Sequence, residues 1–258
     1  MQDVLTAIVP DGVTLLFMVP AVLLFGIAKG GFGGSIALLS VPLISVVMSP
    51  IQAAAVMLPI LCVMDVVVIW SYRRNFHAQT LKIVLPGALV GVLLGYLTAG
   101  YMNDNAMRLL IGGLAILFVV QAWTGISIGT GREHHRGAGT TLGAMAGFTS
   151  FAIHAGGPPY AMYALPKRMD PPLYAGTAGI FFFVVNYVKL VPYYALGQLS
   201  VENLSTSLVL MPLAPVGVLM GVWLAKRINK EVFYNVCYFF LLVVGVKLLL
   251  EGLGWLKL

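Results

Sequence analysis

Lys29, Asp65, His154, Asn186 and Lys189 all stand inside otherwise apolar runs of this sequence. An ionisable group within a membrane-length apolar segment is a functional candidate by default. Lys29 is suited to contact an anion; alternatively its head snorkels to an interface. Asp65, deep in PILCVMDVVVIW, is suited to carry a proton or hold a cation. It could equally pair with Lys29 or Lys189 in a purely structural role. Asn186 and Lys189 are three apart in FFFVVNYVKLVPYY, which puts them on one helix face. Pro192 follows and can distort that helix. His154 has an unperturbed pKa near 6.5 and so is suited to move a proton near neutral pH.

The neighbours of these residues are glycines. Lys29 sits in FGIAKGGFGGSIALLSVP, beside Gly30, Gly31, Gly33 and Gly34. Glycine at this density unwinds a helix or lets the chain turn. Irregular backbone at membrane depth persists only where protein packs around it or a wet cavity adjoins it. Such a break exposes the N-terminus of the next half-helix, whose N–H groups and dipole attract an anion. The stretch 35–40, beginning at Ser35, is the expected half-helix. The second half of the chain echoes the pattern in SFAIHAGGPPYAMYALP. There Gly156 and Gly157 supply the break, and Pro158 and Pro159 suit a first helical turn.

The elements that must position these residues follow from composition. Of 258 residues, 60% are hydrophobic and 9% charged, with a mean hydropathy of +0.96. Soluble domains carry roughly a quarter charged residues. This is an all-α integral membrane protein, with room for about eight spans of ~20 residues. The net charge of +6 is then an orientation signal, not a nucleic-acid footprint. The N-terminus MQDVLTAIVPDG is acidic, so no cleaved signal peptide is expected. Cys62 and Cys237 lie in apolar segments and read as core residues.

Apolar runs fall near 13–48, 51–72, 81–101, 106–128, 139–166, 172–196, 204–225 and 231–256. The first and fifth are too long for one span and each holds a glycine cluster, so each is expected to be a broken hairpin. Basic residues gather at Arg73, Arg74 and Lys82, at Arg132 and Arg136, at Lys167 and Arg168, and at Lys226, Arg227 and Lys230. If both hairpins return to the side they entered, all these loops share one side. That side is then cytoplasmic, and both termini lie outside.

The two halves also match. Ser49-Pro50 corresponds to Asp170-Pro171, and at the same spacing Asp65 falls opposite Asn186 and Tyr72 opposite Tyr193. The organisation is therefore two inverted repeats, 1–128 and 139–258, joined by a cytoplasmic loop at 129–138. Each repeat holds a glycine-broken hairpin plus three spans, a pattern that points to secondary transport. The glycine rows Gly26/Gly30/Gly34, Gly87/Gly91/Gly95 and Gly217/Gly221 are read as close helix packing.

The motifs GIAKGGFGGSIALLSVP and GFTSFAIHAGGPPYAMYALP, with the two similar halves, resemble the TauE/SafE-like sulfite-exporter permeases over nearly the whole chain. That resemblance implies an inner-membrane secondary transporter for sulfite, thiosulfate, sulfoacetate and similar organosulfur anions, moved in either direction. Sulfite titrates near histidine, so His154 could exchange a proton with it. Ser35, Thr149, Ser150, Tyr160 and Tyr163 could donate to sulfonate oxygens. The expected binding set is Lys29, Gly30, Gly33, Gly34, Ser35, His154, Gly156, Gly157, Asn186 and Lys189, with Asp65 or His154 coupling to a proton or sodium ion. The other partners are the lipid bilayer and a second copy of the chain; no cofactor, metal or nucleic acid is expected. His134 and His135 are adjacent in a polar loop and badly spaced for one metal. No HExxH, GxSxG or embedded carboxylate pair suggests an enzyme. An anion channel and a small-carboxylate carrier are the alternatives.

Overall fold

The computed structural model describes residues 12–32, 48, 50–99, 104–124 and 136–255. Gly33, Gly34 and Ser35, the expected first half-helix, and His134 and His135 lie outside the described residues. The described chain is helical, with no strand among those residues. Its helices are α1 Gly12–Gly31, α2 Pro50–Tyr72, α3 Ala78–Leu97, α4 Asp104–Thr124, α5 Arg136–Ile153, α6 Gly157–Ala164, α7 Pro171–Ala195, α8 Val201–Leu210, α9 Leu213–Ala225 and α10 Lys230–Gly252. Four segments, within α2, α3, α7 and α10, are long and apolar enough to cross a membrane, and α8 with α9 makes a fifth.

Local chemistry sets the helix starts. Ser200 Oγ accepts from Asn203 N–H at 3.2 Å, and Asn229 Oδ1 accepts from Val232 N–H at 2.8 Å. Both satisfy donors that the first helical turn leaves free. Pro171 and Pro172 open α7, where a missing N–H removes no helical bond. One expectation changes. The run 204–225 is not one straight span: α8 and α9 meet at 48°. The bend falls at Met211-Pro212, where proline removes a donor and crowds the carbonyl one turn back.

Four helix pairs dominate the packing: α1 on α9, α3 on α5, α4 on α10, and α2 on α7. Glycines permit the closest contacts. A Cβ on Gly30 would lie 2.2 Å from the carbonyl oxygen of Val218, and one on Gly91 would lie 2.0 Å from that of Ala144. Small residues let backbones approach in a solvent where apolar burial gives no drive.

α6 turns back along α5, so that Tyr163 near its end lies against Gly139 in the first turn of α5. The second hairpin thus returns to its starting end. At that end His77 N–H donates to Thr177 Oγ1 at 2.9 Å, Thr140 Oγ1 donates to Ile83 O at 3.2 Å, and Tyr234 OH donates to Met169 O at 2.8 Å. The loop bearing Arg73 and Arg74, the start of α3 with Lys82, the Lys167-Arg168 turn and the start of α10 therefore share one end of the molecule. The outer surface is apolar. All four tryptophans, Trp70, Trp123, Trp223 and Trp255, are more than half exposed and lie near helix ends, as in the aromatic belts of membrane proteins.

Candidate functional site

The polar side chains meet where the end of α1 and the turn between α5 and α6 approach α2 and α7. Lys29 is in the last turn of α1 and is buried. Its Nζ lies 2.8 Å from Asp65 Oδ1 and donates to Leu61 O at 3.1 Å. The approach to Oδ1 has ion-pair distance but not the alignment of a hydrogen bond. The other carboxylate oxygen, Oδ2, accepts from Asn186 Nδ2 at 2.7 Å. Asp65 is thus held between a lysine from α1 and an amide from α7, with no exposure at all. This is the pairing with Lys29 that the sequence offered as one of two readings.

Lys189 has a different set of partners. It is fully buried, and its Nζ lies 2.9 Å from Ser150 O, 3.1 Å from Ser150 Oγ and 2.9 Å from His154 Nδ1. His154 Nε2 lies 2.9 Å from Ala54 O. A carbonyl only accepts, so Nε2 carries the ring proton and Nδ1 accepts from Lys189. With Lys189 protonated the imidazole is neutral, and the three ammonium donors meet three neutral acceptors.

The backbone is shaped to make this possible. His154 ends α5 with φ 53°, a left-handed conformation unusual for a residue with a Cβ. That geometry costs roughly 1–2 kcal/mol. It turns the ring from the helix end toward α2 and α7. Ala155 N–H closes the turn on Thr149 O at 3.1 Å, and Thr149 Oγ1 donates to Ala155 O at 3.0 Å. α6 then starts at Gly157. Pro158 and Pro159 have no N–H, and Tyr160 N–H bonds Gly156 O at 3.2 Å. The half-helix therefore offers a ligand its dipole and the N–H of Gly157, fewer donors than an ordinary helix start.

A cavity of about 20 Å³ lies among these residues, room for about one water molecule. Lys29, Ser150, His154, Gly157 and Asn186 give it polar lining, and Phe25, Leu61 and Phe182 apolar lining. Lys189 stands directly behind Ser150 and His154. Gly30 is not among the lining residues; its carbonyl accepts from Tyr72 OH at 2.7 Å. In the second half Tyr193 OH donates to Phe151 O at 2.9 Å. Both tyrosine bonds span 42 residues, and Asp65 and Asn186 are 121 apart, as are Tyr72 and Tyr193.

The structure thus brings together Lys29, Asp65, His154, Gly157, Asn186 and Lys189. Lys247 is elsewhere, bonded to Glu251, which also faces Arg108 across the α4–α10 pair. Sequence reasoning missed the backbone acceptors Leu61 O and Ala54 O, which leave no trace in residue type. It named Ser150 only as a hydrogen-bond donor. Carrying the 121-residue offset back from Tyr72 would have set Ser150 opposite Lys29. Among the described residues no three or more His, Cys, Asp or Glu side chains could share a metal.

A family model described as sulfite exporter TauE/SafE matches residues 18–248, nearly the whole chain. The chain belongs to the sulfite exporter TauE/SafE family. No curated protein and no solved structure matches it. The TauE/SafE family transports sulfite and related anions across membranes, which agrees with the apolar exterior and the spanning helices.

Proposed function

We propose that the protein is a secondary active transporter that moves a small sulfur-containing anion across the inner membrane by alternating access. The anion is sulfite, thiosulfate or a sulfonate such as sulfoacetate. The observation that carries this reading is Lys189, a fully buried lysine whose three partners are all neutral. An ammonium shut away from water without a counter-charge is costly. A substrate anion in the adjoining cavity supplies that charge. It contacts Lys29, Ser150, His154, Gly157 and Asn186, while Gly33, Gly34 and Ser35 provide the matching element of the first half. Asp65 is the coupling group.

The helix pairing supports an internal repeat. If α1 exchanges with α5, α2 with α7, α3 with α8–α9, and α4 with α10, the four dominant pairs map onto one another. The repeats are 1–128 and 139–258, related by inversion through the membrane plane. The shared basic end is cytoplasmic, and both termini are outside. The cavity holds little more than a water molecule, so on this reading it must widen to admit the anion.

The test is flux into liposomes carrying the purified protein. Sulfite or isethionate uptake should saturate and follow an imposed gradient. Lys189→Ala should lower it at least tenfold while the protein stays monodisperse. Unchanged flux in Lys189→Ala would overturn the site. Non-saturating flux would identify a channel, and preference for acetate or malonate a carboxylate carrier.

A further inference from the structure

The two lysines and one carboxylate of the site are not in balance. With both lysines protonated, Asp65 ionised and His154 neutral, the site holds one more positive than negative charge among the described residues. The undescribed stretch 33–47 cannot alter this, because its sequence contains no Asp, Glu, Lys, Arg or His. Resting on the transport reading above, we propose that Asp65 sets the charge of the substrate. With its carboxylate ionised the site takes a monoanion; a dianion enters only together with one proton, which neutralises Asp65.

The geometry supplies the reason. Asp65 is ion-paired to Lys29, the lysine that lines the cavity, so the carboxylate and a bound anion compete for the same ammonium. A monoanion neutralises the surplus from Lys189 and leaves the Lys29–Asp65 pair intact. A dianion beside an ionised Asp65 would leave one negative charge buried. Protonating Asp65 removes that charge and releases Lys29 to the ligand. Asn186 accommodates both forms, since its amide can donate to Oδ2 or, turned over, accept from the acid. The charged and titratable groups facing Asp65 are few among the described residues. They are Lys29 from α1, Cys62 on its own helix, Lys189 and Tyr187 from α7, and His154 beyond Lys189. α9, packed against α2, carries no titratable side chain.

Isethionate and sulfoacetate make a matched pair, alike in size and differing by one charge near pH 8. Titration calorimetry of the purified protein, run in two buffers of different ionisation enthalpy, counts the protons taken up on binding. We expect none with isethionate and one with sulfoacetate. Asp65→Asn should abolish the uptake and raise sulfoacetate affinity at least tenfold relative to isethionate. Asn186→Asp should lower isethionate affinity by a similar factor, and covers the case in which Asp65→Asn does not fold. Equal proton counts for the two ligands, or uptake that persists in Asp65→Asn, would overturn the proposal while leaving transport standing. If neither these nor sulfite and thiosulfate bind, the anion-site reading itself fails.

Discussion

The two halves of the chain make one like hydrogen bond and differ in the chemistry around it. In the first, Tyr72 on α2 bonds the carbonyl of Gly30; in the second, Tyr193 on α7 bonds that of Phe151, at the same sequence separation. Around this common scaffold the functional positions diverge. Asp65 faces Asn186, Lys29 corresponds to Ser150, and Lys189 corresponds to the apolar Val68. Backbone carbonyls at a helix break need donors in either half, so the tyrosines are alike. A charge is needed only once, so the ionisable residues are not. If the halves are repeats, as proposed, this asymmetry is what a ligand site between them would produce.

Mutations can press on this contrast. The largest effect is expected at the ion pair. Lys29→Ala leaves the Asp65 carboxylate buried with the Asn186 amide as its remaining side-chain partner, and should destabilise by about 3–5 kcal/mol. The double variant Lys29→Met/Asp65→Leu should recover most of that loss, because no unpaired charge remains. Melting temperature in detergent reads both, and a double variant no better than the single would show that the pair is not coupled. The tyrosines come next. Tyr72→Phe and Tyr193→Phe should each cost about 1–3 kcal/mol, since each leaves a buried carbonyl unpaired. If the framework is shared, the two losses agree; a loss confined to one half would break the equivalence. The smallest effect concerns the second-half turn. His154→Gly and His154→Ala both lose the contacts to Lys189 and Ala54, but glycine accepts the left-handed φ. His154→Gly should therefore be the more stable by about 1–2 kcal/mol. Equal stability would mean that the turn is not strained.

Much of this framework could be read from the amino-acid sequence. Outside 33–47 the apolar runs agree with the helix bounds to within a few residues, because span length and proline or glycine punctuation are local properties. The Tyr72/Tyr193 and Asp65/Asn186 matches needed only a fixed offset. The bend at Pro212 was missed because hydropathy averages across a turn. The sequence also left open whether Asp65 pairs with Lys29 or serves alone. Those residues are on different helices, and helix rotation decides which faces meet. The neutral partners of Lys189 were invisible for a related reason. Two of its contacts are to one serine, and the third depends on a left-handed turn at a histidine, where residue type predicts none.

The close α1–α9 and α3–α5 contacts have a consequence in biosynthetic time. Each half lends its first helix to the other, so the pairing is balanced in space, but the chain is made from one end. When α5 emerges, α3 is already in the bilayer and its glycine face is ready. α1 emerges first and its partner α9 almost last, so its own small-residue face must wait in lipid, unmatched, while most of the protein is synthesised around it. α1, with Lys29 in its last turn, can therefore complete its packing only in the closing stage of assembly.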